Sequence, residues 1–138
     1  MKNTHASPRP IPLVALTLVA LAVAGCAPKP TIVGKWQGTV AQPGGAINTV
    51  MEFTPDGKEA ITGQGGRAGM TMNIAVSGTY IVSGTNLTQN LTTMTMGTRT
   101  MPIPPQQAKP TPFTLDGDHL TLTNPGTNES LTLTRVKG

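Results

Sequence analysis

Hydrophobic residues recur at every second position along most of this chain. In TIVGKWQGTV the even-numbered Ile32, Trp36 and Val40 are apolar, while Lys35, Gln37 and Thr39 face the other way. MTMNIAVSGTYIV is the longest such run and puts Met70, Met72, Ile74, Val76, Tyr80 and Val82 on one face. HLTLTN and SLTLTRV repeat the pattern, placing Leu120 with Leu122 and Leu131 with Leu133. A period of two marks half-buried strands. Turn-forming clusters separate the runs: TPDGK at 54–58, GQGGRAG at 63–69, VSGTN at 82–86, LDGD at 115–118 and NPGTN at 124–128. Asp-Gly between alternating segments is a strong hairpin signal. No stretch of ten or more residues combines helical periodicity with caps. The pattern predicts an all-β fold, a meander of about eight antiparallel strands. Closure into a small up-and-down barrel removes the exposed edges that so many short strands would otherwise present.

Composition agrees with this reading. Threonine fills 23 of the 138 positions, and its branched side chain suits strands better than helices. Two internal echoes, FTPDGK with FTLDGD and LTLTN with LTLTR, read as hairpins that reuse one turn chemistry. Residues 97–112, GTRTMPIPPQQAKPTP, break the alternation. Their five prolines argue against a central strand. A connection this long predicts a segment lying over one barrel mouth and governing access.

The first 25 residues stand apart. Lys2 and Arg9 precede IPLVALTLVALAVAG, which carries no charge and ends in small residues. A basic head, a short apolar run and small residues form a secretory signal. The run is shorter than the roughly 20 residues that span a bilayer. Directly after it, Val23-Ala24-Gly25-Cys26 resembles the lipobox of bacterial lipoproteins. The resemblance implies cleavage after Gly25, a diacylglyceryl thioether on Cys26 and an acylated new amine. Cys26 is the only cysteine in the chain, so an internal disulfide is excluded. Several acyl chains, at about 0.8 kcal/mol per buried methylene, would anchor the protein stably in membrane lipid. The expected organisation is a signal peptide at 1–25, a lipidated tether at 26–31 and a folded domain at 32–138. The expected location is the cell envelope. In a Gram-negative source Ala27 favours the outer membrane, because an Asp there would imply inner-membrane retention.

Processing changes the charge. The whole chain is +4, but without Lys2 and Arg9 eight basic residues face six acidic ones and leave +2. Basic stripes with interleaved aromatics are absent, and the mature chain has only Trp36, Phe53, Tyr80 and Phe113 as aromatics. Nucleic acid is therefore not an expected partner.

IVGKWQGTV, FTPDGK, GTYIVSGTNL, FTLDGDHLTLTN and LTLTRVK resemble the small lipocalin-like domains of bacterial lipoproteins. Gly34-Lys35-Trp36 matches the Gly-x-Trp of the first lipocalin strand. The resemblance implies that Trp36 closes one barrel end and that an arginine near the last strand, here Arg135, packs across it. Arg135 also shares a face with Leu131 and Leu133, as Trp36 does with Ile32 and Val40. The chain is shorter than full lipocalins and lacks their Thr-Asp-Tyr motif and C-terminal helix. The META/HslJ-type β-domain is the alternative resemblance, from the order of Asn73, Gly78, Tyr80, Gly84, Leu87, Thr93 and Met94. That family's cysteine pair and acidic segment are missing here.

The sequence offers little catalytic chemistry. His119 is the one histidine after the signal, beside Asp118 in a turn-to-strand position. Asp116 and Asp118 flank a turn glycine, where Asp bonds its own backbone. GQGGRAG is not followed by Gly-Lys-Ser/Thr and reads as a flexible hairpin loop, not a phosphate cradle. No catalytic residue, metal set or cofactor is assigned, and the protein is expected not to be an enzyme. Its unusual chemistry is thioether: Met70-Thr-Met72 and Met94-Thr-Met96 each present two sulfurs on one strand face, with Met51 and Met101 besides. Such pairs line a pocket or bind a soft ion such as Cu(I). Three function classes follow: a tethered module binding a small apolar ligand or envelope component, a solid barrel that binds an envelope protein, and a Met-based Cu(I) binder.

Overall fold

The computed structural model describes residues 31–67 and 70–138; the signal peptide, Cys26 and most of the tether lie outside the described residues. Nine strands follow one another: β1 (Gly34–Gln42), β2 (Gly45–Phe53), β3 (Lys58–Arg67), β4 (Met70–Ser83), β5 (Asn86–Met96), β6 (Arg99–Pro102), β7 (Pro110–Asp116), β8 (His119–Thr123) and β9 (Ser130–Arg135). They form one antiparallel sheet in the order β4-β3-β2-β1-β9-β8-β7-β5-β6, and β4 also pairs with β5. That last pairing closes an eight-stranded barrel, with β6 as the extra strand. Among the described residues there is no helix.

The alternation sets the two faces. Inward positions contribute Trp36, Met51, Phe53, Leu87, Phe113, Leu120, Leu122 and Leu133, which with Ile32 form one buried cluster. Each such side chain stabilises the fold by roughly 1.5–3 kcal/mol relative to exposure. The two leucine echoes are neighbours in space, since Leu120 pairs with Leu133 and Leu122 with Leu131. Phe53 meets Tyr80 edge-on with ring centres 5.0 Å apart. Outward positions carry the threonines, and their hydroxyls pair across strands: Thr95 with Thr100 at 2.9 Å, Thr121 with Thr132 at 3.2 Å. Much of the threonine excess is thus an outer-face property, with Thr49 a buried exception.

Two sequence expectations need correction. GQGGRAG is not a loop over its whole length: β3 runs through Gly63, Gly65 and Gly66 to Arg67. Gly63 and Gly65 sit where Cβ atoms would come within 3.1 and 2.8 Å of Ile47, so they accommodate a neighbouring side chain within the sheet. The 97–112 segment is likewise not one connection: strand occupies 99–102 and 110–112, at its two sides. After a turn at Gly97-Thr98, β6 pairs Arg99 with Met96 and Pro102 with Thr93. Residues 103–109 then leave the sheet, and β7 resumes along the same edge of β5, pairing Pro110 with Thr88 and Pro112 with Asn86. The Ile103 amide bonds the Thr92 carbonyl at 2.8 Å and the Phe113 amide the Thr85 carbonyl at 2.8 Å. By antiparallel alternation, Pro102, Pro110 and Pro112 occupy positions whose missing N–H points away from β5. Their tolerance follows, because that outer edge is unpaired at all three. Turns at Pro43-Gly44 and Gly97-Thr98 were also present as unread punctuation.

The walls are uneven. β4 has 14 residues, whereas β8 has 5 and β9 has 6. β1 pairs with β9 only at Trp36 and Gln37. The upper part of β1 and the outer edge of β6 therefore flank a low wall at one end of the barrel, while the opposite end is packed.

Candidate functional site

The packed end is built around Trp36, which is fully buried and whose indole N–H donates to the Ile32 carbonyl at 2.7 Å. Arg135 stands opposite it in the β1–β9 register. Its guanidinium carbon lies 4.1 Å from the ring centre, and its two terminal nitrogens donate to the carbonyls of Val33 at 2.9 Å and Thr31 at 2.7 Å. This ties the chain's entry to its last strand. Gly34 has φ +130°, and a Cβ there would stand 2.7 Å from the Arg135 Nη1. The glycine of Gly-Lys-Trp is needed by both conformation and space.

The open end offers a recess of about 770 Å³ above the low wall, with Val40, Thr111, Leu122 and Leu131 as its floor and Lys109 and Glu129 at its rim. A second crevice of about 480 Å³ lies between β5 and the 103–109 excursion. Gln89, Leu91 and Met94 line it from β5, Ile103 and Gln106 from the other side.

Behind that crevice is a group the sequence reading missed. Glu59 is buried to 3% exposure. The Gln89 amide nitrogen donates to its Oε2 at 2.6 Å, and Oε1 has no hydrogen-bond partner. Burial pushes this carboxyl above its ordinary range, and the Gln89 bond offsets only part of that. Glu59 and Gln89 lie on strands separated by β4, and they meet over Gly78, which pairs with Glu59 on one side and Leu91 on the other. The bulge beside Gly78 brings β5 so near that a Cβ there would fall 2.2 Å from the Asn90 carbonyl oxygen. A legible signal existed: Glu59 has the parity of Phe53 and Ile61, so a carboxylate stands on an apolar face.

The methionines are partly gathered. Met94 pairs directly with Met101, and Met96 pairs with Ile74, two residues from Met72 on the same face. Met72, Met94, Met96 and Met101 thus share one corner of the inner face toward the open end. Met70 stands one step further out, paired with Arg67 at the start of β4, and is 73% exposed. Met51 is the buried exception. His119 is exposed on β8, paired in register with Asp116. Asp118 is held below its usual range by its hydrogen bond and 2.9 Å ion pair with Lys137, an exposed contact of little energetic weight. Among the described residues, no three His, Cys, Asp or Glu side chains converge to hold a metal. No protein-family model matches the chain, and no curated protein matches it either.

Proposed function

We propose that this protein is a lipid-anchored lipoprotein of the cell envelope whose barrel binds a small apolar ligand without catalysing a reaction. The observation that carries the reading is the half-filled barrel: a sealed end around Trp36, and an open end with an apolar-floored recess of about 770 Å³. That volume falls within the range of small-molecule sites, roughly 300–1,000 Å³. The anchor rests on Val23-Ala24-Gly25-Cys26 directly after the apolar run. A tether from Cys26 joins the barrel at Thr31, whose carbonyl is held by Arg135 at the sealed end. The recess then opens away from the anchored end. Native mass spectrometry of protein extracted from its own membranes tests both parts. Diacylglycerol mass on Cys26 and a co-purifying apolar molecule are expected. An unmodified mature chain removes the anchor, and a bare barrel favours a structural or protein-binding lipoprotein.

A second reading, Cu(I) binding by thioethers, is favoured by exposure. Met70, Met72 and Met96 are 73%, 50% and 40% exposed, so they do not fill the core. Exposed sulfurs on a shared face suit a soft ion.

A further inference from the structure

Glu59 and Gln89 give the barrel interior a polar point that packing alone does not require. A buried carboxylate oxygen without a partner forfeits its hydration, which amounts to several kcal/mol for a charged group. Its surroundings supply one donor, the Gln89 amide nitrogen, and that donor is committed to Oε2. With the nitrogen engaged, the Gln89 carbonyl oxygen remains as an acceptor. The pair therefore presents two acceptors, Oε1 of Glu59 and the amide oxygen of Gln89, beside the second amide N–H of Gln89. Gln89 is also a lining residue of the crevice between β5 and the 103–109 excursion, whose remaining walls combine apolar Leu91, Met94 and Ile103 with Asn90, Gln106 and Lys109. An acceptor-bearing end with apolar walls selects a complementary molecule.

We propose that this crevice binds an apolar molecule carrying a hydrogen-bond-donating head, an amine or a hydroxyl, with the head bonded to Gln89 and Glu59. The proposal rests on the apolar-ligand reading above and places a ligand of defined class in a second site of the same barrel, which shares only Lys109 with the lining of the open-end recess. At that end an acidic head would meet two acceptors, whereas Lys109, which also lines the crevice, would attract it, so the head-group preference is read in a Lys109→Ala background. The 103–109 excursion fits this role. It interrupts what would otherwise be one strand along β5, and it leaves Gln89, Asn90 and Leu91 without a strand partner on that side. The interruption leaves the β5 edge unpaired beside Gln89, the member of the buried pair that lines the crevice. A single trapped water on Oε1 is the competing occupant, and it predicts no head-group preference.

The test titrates the full chain carrying Lys109→Ala by calorimetry with octylamine, octanol and octanoate, probes that share one tail and differ in the head. Octylamine and octanol should bind at least about tenfold more tightly than octanoate. Glu59→Gln should reduce the octylamine preference about tenfold, and Gln89→Leu should abolish discrimination for both donor heads. If either variant fails to fold, the carboxyl ¹³C resonance of Glu59 in the unsubstituted protein serves instead, and octylamine should shift it where octanoate does not. Equal binding of the three probes, or a preference that survives Glu59→Gln, overturns the proposal and leaves the apolar-ligand reading standing. Absence of binding by all three overturns both.

Discussion

Arg135 lies across the fully buried face of Trp36 at 4.1 Å and at the same time holds the carbonyls of Val33 and Thr31. One side chain from the last strand therefore seals the barrel end and fixes the path by which the chain enters it. The guanidinium is planar, so it can stack on the indole and aim its in-plane N–H groups at two carbonyls together.

Replacing Arg135 by Ala should lower stability by about 2–3 kcal/mol, from lost charged hydrogen bonds, ring stacking and stem packing. Arg135→Lys should recover only part, because an ammonium has no planar fork. Urea unfolding followed by Trp36 fluorescence measures both. An unchanged midpoint for Arg135→Ala would mean that the arginine merely rests on a lid already closed.

Gly34→Ala should also destabilise, by about 1–3 kcal/mol, since the new Cβ meets strained backbone and the Arg135 Nη1 together. The two substitutions should not add. In an Arg135→Ala background the steric part vanishes and only the φ penalty remains, so a double-mutant cycle should show coupling above about 0.5 kcal/mol. Strict additivity would place the glycine's role in the backbone alone.

The barrel was legible because parity is a local property. Leu120, Leu122 and Leu133 alternate with threonines, and Trp36 stands between Lys35 and Gln37; that pattern alone assigns inside and outside. Gly63 and Gly65 misled because turn glycines and strand glycines look alike until Ile47 is placed against them. Pro110 and Pro112 misled for a related reason: whether a missing N–H matters depends on which edge is paired, and pairing is non-local. Glu59 was readable as an acid on an apolar face, but its partner was not. Gln89 comes from two strands away, across a glycine whose importance lies in a bulge.

The thioether corner makes its own forecast. Met72, Met94, Met96 and Met101 share an inner-face corner, and Ag(I), a redox-silent stand-in for Cu(I), should perturb their methyl NMR signals at about one equivalent if the soft-ion reading holds. Buried Met51 should remain unshifted and serves as the internal reference. Met72→Leu with Met96→Leu should weaken Ag(I) binding about tenfold or more. Unchanged affinity in that double variant would assign the corner to lining the open end.

Glu59 sets the pH dependence of stability. Its carboxyl is raised by burial in the folded state, whereas the unfolded chain titrates near 4.5. Between those values the native protein holds a proton that the unfolded chain has released. Stability from this group is therefore complete below 4.5 and falls as pH rises through the folded value. Asp56, held low chiefly by its hydrogen bond from Thr54, and Asp118, held low by Lys137, act oppositely: their contribution is present above about 3.8 and is lost as pH falls. The titratable side chain facing Glu59 is Tyr80, whose phenol donates to the Thr54 carbonyl and is raised above 10, so it stays protonated across this window. The protein should be most stable in mildly acidic solution. Glu59→Gln removes the descending limb, leaves the acid limb intact and should raise stability at pH 7. Exposed His119 is present in both proteins, so their difference isolates Glu59. Urea midpoints from pH 4 to 8 decide the matter. A descending limb that persists in Glu59→Gln would assign the pH dependence to another group.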